Sequence, residues 1–219
     1  MINNIDHSSA HIMLKINIPD KGIYEKRFTF NPEDKVWAAK EQVIHEIGKE
    51  LKDIQNYGIF VPPHQGKAGK FMDEGRPLSE YSIPGNEQIL EFMLKRRIYR
   101  SISFDENKLT KIHTKANLKK LMELVEQNNA GQVNQFLEKG LDPNFQDPKT
   151  GETPLTAAAV KNNANEVIMF LINGGAYFDF KNRNGLTAVH KAAIAGNSHN
   201  MKVFLDLGAS PNYRDLKGL

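Results

Sequence analysis

The feature of this 219-residue chain that most restricts its fold is a repeat with a period near 34 in its second half. Leu137, Leu171 and Leu205 lie 34 residues apart and open matching phrases: Leu137-Glu138-Lys139-Gly140, Leu171-Ile172-Asn173-Gly174-Gly175 and Leu205-Asp206-Leu207-Gly208. Each phrase runs into a turn, at Leu141-Asp142-Pro143-Asn144, Ala176-Tyr177-Phe178-Asp179 and Ala209-Ser210-Pro211-Asn212. Glycines recur at Gly151, Gly185 and Gly218, spaced 34 and 33. A unit of this length cannot bury its apolar face alone, so copies must stack in a row and share one elongated core.

Two of the glycines are followed by Thr153-Pro154-Leu155-Thr156-Ala157-Ala158-Ala159 and Thr187-Ala188-Val189-His190-Lys191-Ala192-Ala193. Both phrases resemble the Thr-Pro-Leu-His-x-Ala signature of ankyrin repeats. Thr153 and Thr187 stand where a hydroxyl can cap orphan helix donors. Pro154 suits a first helical turn, which needs no N–H. Val167, Phe170 and Leu171 recur at helical spacing, as do Met201, Phe204 and Leu205. Gly140, Gly174 or Gly175, and Gly208 end those helices in left-handed conformations. Upstream, Asn117–Asn128 and Gly131–Lys139 predict a helix pair without the signature, which suits an atypical N-terminal capping repeat. The chain stops at Lys217-Gly218-Leu219, where another repeat is due, so a fragment of a longer protein is expected. In ankyrin repeats the His190 position bonds backbone between neighbouring repeats, a structural and not a catalytic role. His113 has no acid or nucleophile that the sequence pairs with it.

The first half changes period. Ile12, Leu14, Ile16 and Ile18 alternate with Met13, Lys15 and Asn17, the pattern of a half-buried strand. Pro19-Asp20-Lys21-Gly22 is a turn, and Tyr24–Phe30 completes a hairpin. Asp34 is placed to cap a helix with Val36, Ala39, Val43, Ile47 and Leu51 on its apolar face. Asn56–Val61 is a short strand, and Phe71–Ile83 resembles the strand, turn and brief helix that precede the last strand of ubiquitin-like folds. Leu90, Phe92 and Leu94 then mark that strand. The predicted fold class is an α+β ubiquitin-like β-grasp domain followed by an all-α ankyrin-repeat solenoid.

Composition narrows the function. Hydrophobic residues make up 40% and charged residues 25% of the chain, ordinary globular values. The absence of cysteine excludes disulfides, thiolate catalysis and Cys-ligated zinc. Neither a signal peptide nor a run of ~18 apolar residues is visible, so the chain reads as soluble and intracellular. A net charge of +3, with acids among the bases, argues against nucleic-acid binding. Gly66-Lys67-Ala68-Gly69-Lys70 fails as a phosphate loop, because His64 and Phe71 occupy positions that need glycine and Ser or Thr. No acid pair, nucleophile–base set or metal cluster is evident, so no enzyme, cofactor or metal is expected. Lys95-Arg96-Arg97-Ile98-Tyr99-Arg100 is the densest basic run. It reads either as a solvated edge or packing contact with the repeats, or as a docking site for an acidic partner or anionic lipid headgroup.

Longer phrases point to one family. Ile18-Pro19-Asp20, Val36-Trp37-Ala38-Ala39-Lys40, Asn56-Tyr57-Gly58, Lys67-Ala68-Gly69-Lys70-Phe71, His113-Thr114-Lys115-Ala116-Asn117-Leu118-Lys119-Lys120 and Gly140-Leu141-Asp142-Pro143-Asn144-Phe145 together resemble the N-terminus of the Shank family of postsynaptic scaffolds. The resemblance implies a disordered tail at 1–10, a ubiquitin-like domain of the Ras-association/FERM type at 11–98, a linker at 99–115 and ankyrin repeats over 116–219. It implies binding of GTP-loaded Ras and Rap GTPases by the first domain, and of spectrin-type cytoskeletal and signalling proteins by the repeats. It also implies that the two domains pack together, that membranes are met only indirectly, and that the protein is cytoplasmic, at the cell cortex or postsynaptic density. Ras-association domains add a partner strand to a sheet edge and steer the acidic partner with basic side chains. In the family pattern those bases fall on Lys15 and on Lys26, although strand alternation gives Arg27 the outward parity, so both are candidates. The repeat loops Asp147–Glu152 and Asn182–Asn184 are candidate binding surfaces. A structural cytoskeletal scaffold without GTPase binding is the alternative.

Overall fold

The computed structural model describes residues 11–48, 51–81, 89–99, 106–215 and 218. The expected tail at 1–10, Ile83, Arg100 and the start of the linker lie outside the described residues. The chain divides into two compact units, Met1–Met93 and Leu94–Leu219.

In the first unit, alternation builds the sheet. Strand β1 (Ile12–Ile18) pairs antiparallel with β2 (Ile23–Phe30) and parallel with β5 (Ile89–Leu94), and β3 (Tyr57–Val61) pairs antiparallel with β4 (Lys70–Phe71). The order is β2-β1-β5-β3-β4, a mixed five-stranded sheet. Leu14, Ile16, Ile18, Phe28, Phe30, Leu90 and Phe92 are buried with Val36, Ala39, Val43 and Ile44 of helix α1 (Val36–Ile47). The Phe28 and Phe30 rings stack at 6.0 Å.

Asp34 does not cap α1. Lys35 is the N-cap and makes no side-chain cap bond. The orphan donors are met from across the fold: Val36 N–H donates to Arg76 O at 2.9 Å and Trp37 N–H to Glu74 O at 3.2 Å. Lys35 Nζ donates to Gly75 O at 2.9 Å. A turn 40 residues away thus replaces the local cap. The same turn supplies Glu74, whose buried carboxylate meets Lys40 Nζ of α1 at 2.6 Å. The helix stops at Gly48, which has φ 78, so Leu51 lies beyond it.

The second unit is a row of helical hairpins: α3 (Lys115–Glu126) with α4 (Ala130–Glu138), α5 (Pro154–Ala159) with α6 (Asn165–Asn173), and α7 (Ala188–Ile194) with α8 (Ser198–Asp206). A further helix, α2 (Glu106–Ile112), occupies the span that reads as a linker. Thr153 and Thr187 form capping boxes with Thr156 and His190, and Pro154 stands in the first turn. The Nδ1 atom of the His190 ring accepts the Thr187 N–H at 3.2 Å, closing the capping box of its own helix. Gly140, Gly175 and Gly208 have φ of 98, 96 and 97, which settles the choice between Gly174 and Gly175. Gly174 fills a different need: a Cβ there would come within 2.9 Å of Leu137 Cδ1. The shared core runs through Leu121, Val125, Leu137, Ala158, Ile168, Leu171, Ala192 and Phe204.

Candidate functional site

Strand β2 forms one border of the sheet, and its Tyr24, Glu25, Arg27 and Thr29 are exposed. The register sets Lys15 directly opposite Arg27 and Ile16 opposite Lys26. Lys15 and Arg27 therefore share the face away from α1. Lys26 belongs to the other face, where Nζ meets Glu46 of α1 at 3.1 Å and lies 5.5 Å from the Phe28 ring centroid. The conflict between the family pattern and strand parity resolves into two faces of one border.

Sequence reasoning missed the acids that hold these lysines. Glu25 Oε2 meets Lys15 Nζ at 3.1 Å. Glu25 also has φ 51, an uncommon left-handed conformation for a side chain of its size, and its N–H donates to Asn17 Oδ1 at 2.8 Å. The ladder shifts register between Ile16 and Ile18, so this is a bulge that turns Glu25 onto the Lys15 face. Nothing in strict alternation announces it; the only signal is that β2 must absorb an extra residue.

The basic run after β5 is engaged within the second unit. Lys95 is 1% exposed, and its Nζ meets Asp179 Oδ2 at 2.6 Å. Arg97 N–H donates to Asp142 Oδ2 at 2.9 Å, and Arg97 Nη1 donates to Leu137 O and Leu141 O at 2.7 and 2.9 Å. Tyr99 O–H donates to Gly140 O at 2.8 Å. His113 Nε2 accepts the Asp142 N–H at 2.8 Å, which leaves Nδ1 to donate to Leu109 O at 2.6 Å. Burial raises the Asp142 carboxyl above its ordinary value, against the opposing hydrogen bonds from Arg97 and Asn144. Burial also pushes the Tyr99 phenol up to about 12, with the Asp142 charge adding to it. Of the two sequence readings, packing on the repeats holds for Lys95, Arg97 and Tyr99; Arg96 is exposed.

The repeat loops form a cross-braced platform. Asp147 Oδ2 accepts from Thr150 N–H and Oγ1 at 2.8 and 2.9 Å. Burial works against the Asp147 and Glu152 charges, yet these bonds hold Asp147 low, and Lys191, Thr156 and Asn182 hold Glu152 low. Glu152 meets Lys191 Nζ at 2.7 Å and accepts from Asn182 Nδ2 at 3.0 Å. Arg183 Nη2 donates to Pro148 O at 2.9 Å, tying one loop to the next. Lys149, Thr150, Arg183 and Asn184 remain exposed on the braced loops.

The ankyrin-repeat family, in three copies, matches residues 121–215. The N-terminal or F0 domain of the talin-head FERM matches residues 12–94. SH3 and multiple ankyrin repeat domains protein 2 of Homo sapiens is 48% identical over 196 residues, 89% of this chain and 11% of that protein. Protein 1 of the same name, also from Homo sapiens, is 44% identical over 216 residues, 98% of this chain and 10% of that protein. The chain is a homologue of the N-terminal region of the Shank proteins. It spans about a tenth of the length of these relatives. Talin of Oscarella pearsei is 32% identical over 99 residues, 45% of this chain and 4% of that protein. The homology makes this a Shank N-terminal module: a ubiquitin-like domain and ankyrin repeats, the latter a protein-interaction fold. No helix among the described residues is long and apolar enough to cross a membrane.

Proposed function

We propose that the chain binds GTP-loaded Ras or Rap GTPases at the β2 border, and spectrin-type cytoskeletal and signalling proteins on the repeat loops, at the cell cortex or postsynaptic density. The observation that carries this reading is a border strand flanked by Lys15 and Arg27 on one face and Lys26 on the other. Such a border can accept a partner strand by main-chain hydrogen bonds. The bases give an acidic partner a favourable approach and a register. Selectivity for the GTP form follows because the γ-phosphate orders the switch segment that would pair.

The test is titration of the chain with a Ras or Rap GTPase loaded with a GTP analogue and, separately, with GDP. Binding to the first form alone supports the reading; equal binding or none ends it. Lys15→Glu with Arg27→Glu is expected to weaken binding at least about tenfold, about 1.4 kcal/mol, with little change in thermal stability. Lys26→Glu, already held by Glu46, is expected to weaken it less. A structural scaffold without GTPase binding draws support from the same pairing: Lys15 and Lys26 each face an acid of their own domain.

A further inference from the structure

Lys95 and Arg97 of the densest basic run are taken by Asp179, Asp142 and backbone carbonyls, whereas a second, more dispersed set of bases is paired only in part. Lys108 and Lys111 lie on α2, and Lys115, Lys119 and Lys120 on α3, and all five are exposed. Against Glu106 they give residues 106–120 a net charge of +4, more than the +3 of the whole chain, so the remainder is slightly acidic. Spacings of three between Lys108 and Lys111 and of four between Lys115 and Lys119 put each pair on one helix face. Four residues of chain cannot separate Lys111 from Lys115 by more than about 14 Å, so their fields overlap within a Debye length or two.

The acids of α3 do not cancel this strip. Glu123 is shared by Lys119 and Lys120, at 3.6 and 3.8 Å, and Glu126 is taken by Lys161 of the next repeat. No carboxylate among the described side chains pairs with Lys108, Lys111 or Lys115. No large apolar side chain is exposed between positions 107 and 120, so the strip lacks the aromatic or aliphatic anchor of a protein interface. It also lacks arginine, whose rigid fork suits defined carboxylate or phosphate pairs. Lysines alone are hydrated, mobile point charges suited to a diffuse anionic surface.

We propose that the α2–α3 lysine strip, Lys108, Lys111, Lys115, Lys119 and Lys120, is a contact for the anionic headgroups of a phospholipid surface. The attachment is electrostatic and reversible, and independent of GTPase binding at β2.

The whole chain is mixed with phosphatidylcholine vesicles with and without phosphatidylserine and sedimented. Sedimentation with the phosphatidylserine vesicles alone, lost as salt rises, is expected. Lys111→Glu with Lys115→Glu should lower the partition at least about tenfold, while its circular-dichroism melting curve stays that of the parent. Lys67→Glu with Lys70→Glu, two exposed bases of the first unit, should leave it unchanged. Equal binding to neutral vesicles, no loss in the α2–α3 variant, or binding to soluble polyglutamate without binding to vesicles overturns the proposal.

Discussion

Lys15, Lys26 and Lys95 are one side chain in three electrostatic settings. Lys95 is buried against Asp179, where loss of one partner strands the other charge. Lys95→Ala is expected to lower stability by about 3–5 kcal/mol, read as an earlier denaturation midpoint. Lys15 faces Glu25 with side chains 31% and 56% exposed, a pair that holds geometry more than it stabilises. Its effect should instead appear in binding, because Glu25 places a negative charge where an acidic partner would approach. Glu25→Gln is expected to speed association with the GTP-analogue-loaded GTPase severalfold at low salt, the two rates converging as salt rises. Amine acylation read by mass spectrometry should also find Lys15 more reactive in that variant. Alternation predicted the outward parity of Lys15 and Arg27 because a strand has period two. It could not predict Glu25, which reaches that face through a bulge and a positive φ.

Elements differ in how locally their ends are specified. Helices α5 and α7 carry their own start signals: a threonine, a residue three further on that bonds back, and in α5 a proline. Thr187→Ala should therefore cost about 1 kcal/mol, measured by denaturant unfolding. Helix α1 lacks such a device: residues 74–76 supply its cap from about 40 positions away, so no local residue marks its start. The repeat loops add a pH signature. Glu152 has its carboxyl held below the ordinary 4.5 by Lys191, Thr156 and Asn182, against burial. A depressed carboxylate stabilises the fold above the unfolded value, and that contribution is lost as pH falls through the depressed one. Glu152→Gln is expected to flatten the acid limb of thermal stability below about pH 4.5, while lowering stability near neutrality. Asp142, raised by burial, has the opposite sign: its contribution grows as pH falls.

For the whole molecule, the partition at Met93/Leu94 assigns the segment after β5 to the repeats. A chain beginning at Leu94 should melt higher than one beginning at Glu106, by several degrees. The shorter chain loses the Lys95 ion pair, the Arg97 bonds to Leu137 and Leu141, and the Tyr99 bond to Gly140. The sequence by itself determined the two architectures, since a period of two followed by one of 34 admits a half-buried sheet and then a stacked row, and the capping and glycine chemistry agrees at each copy. Which members of a pattern do what was decided by the tertiary structure. Leu137, Leu171 and Leu205 hold one register, yet they are 1%, 0% and 43% exposed, so residue type and repeat position do not by themselves set burial. Lys95 became interior while the dispersed lysines of α2 and α3 stayed in water, for the same reason: charge is written in the chain, but the carboxylate that lets Lys95 be buried, Asp179, comes from tens of positions away.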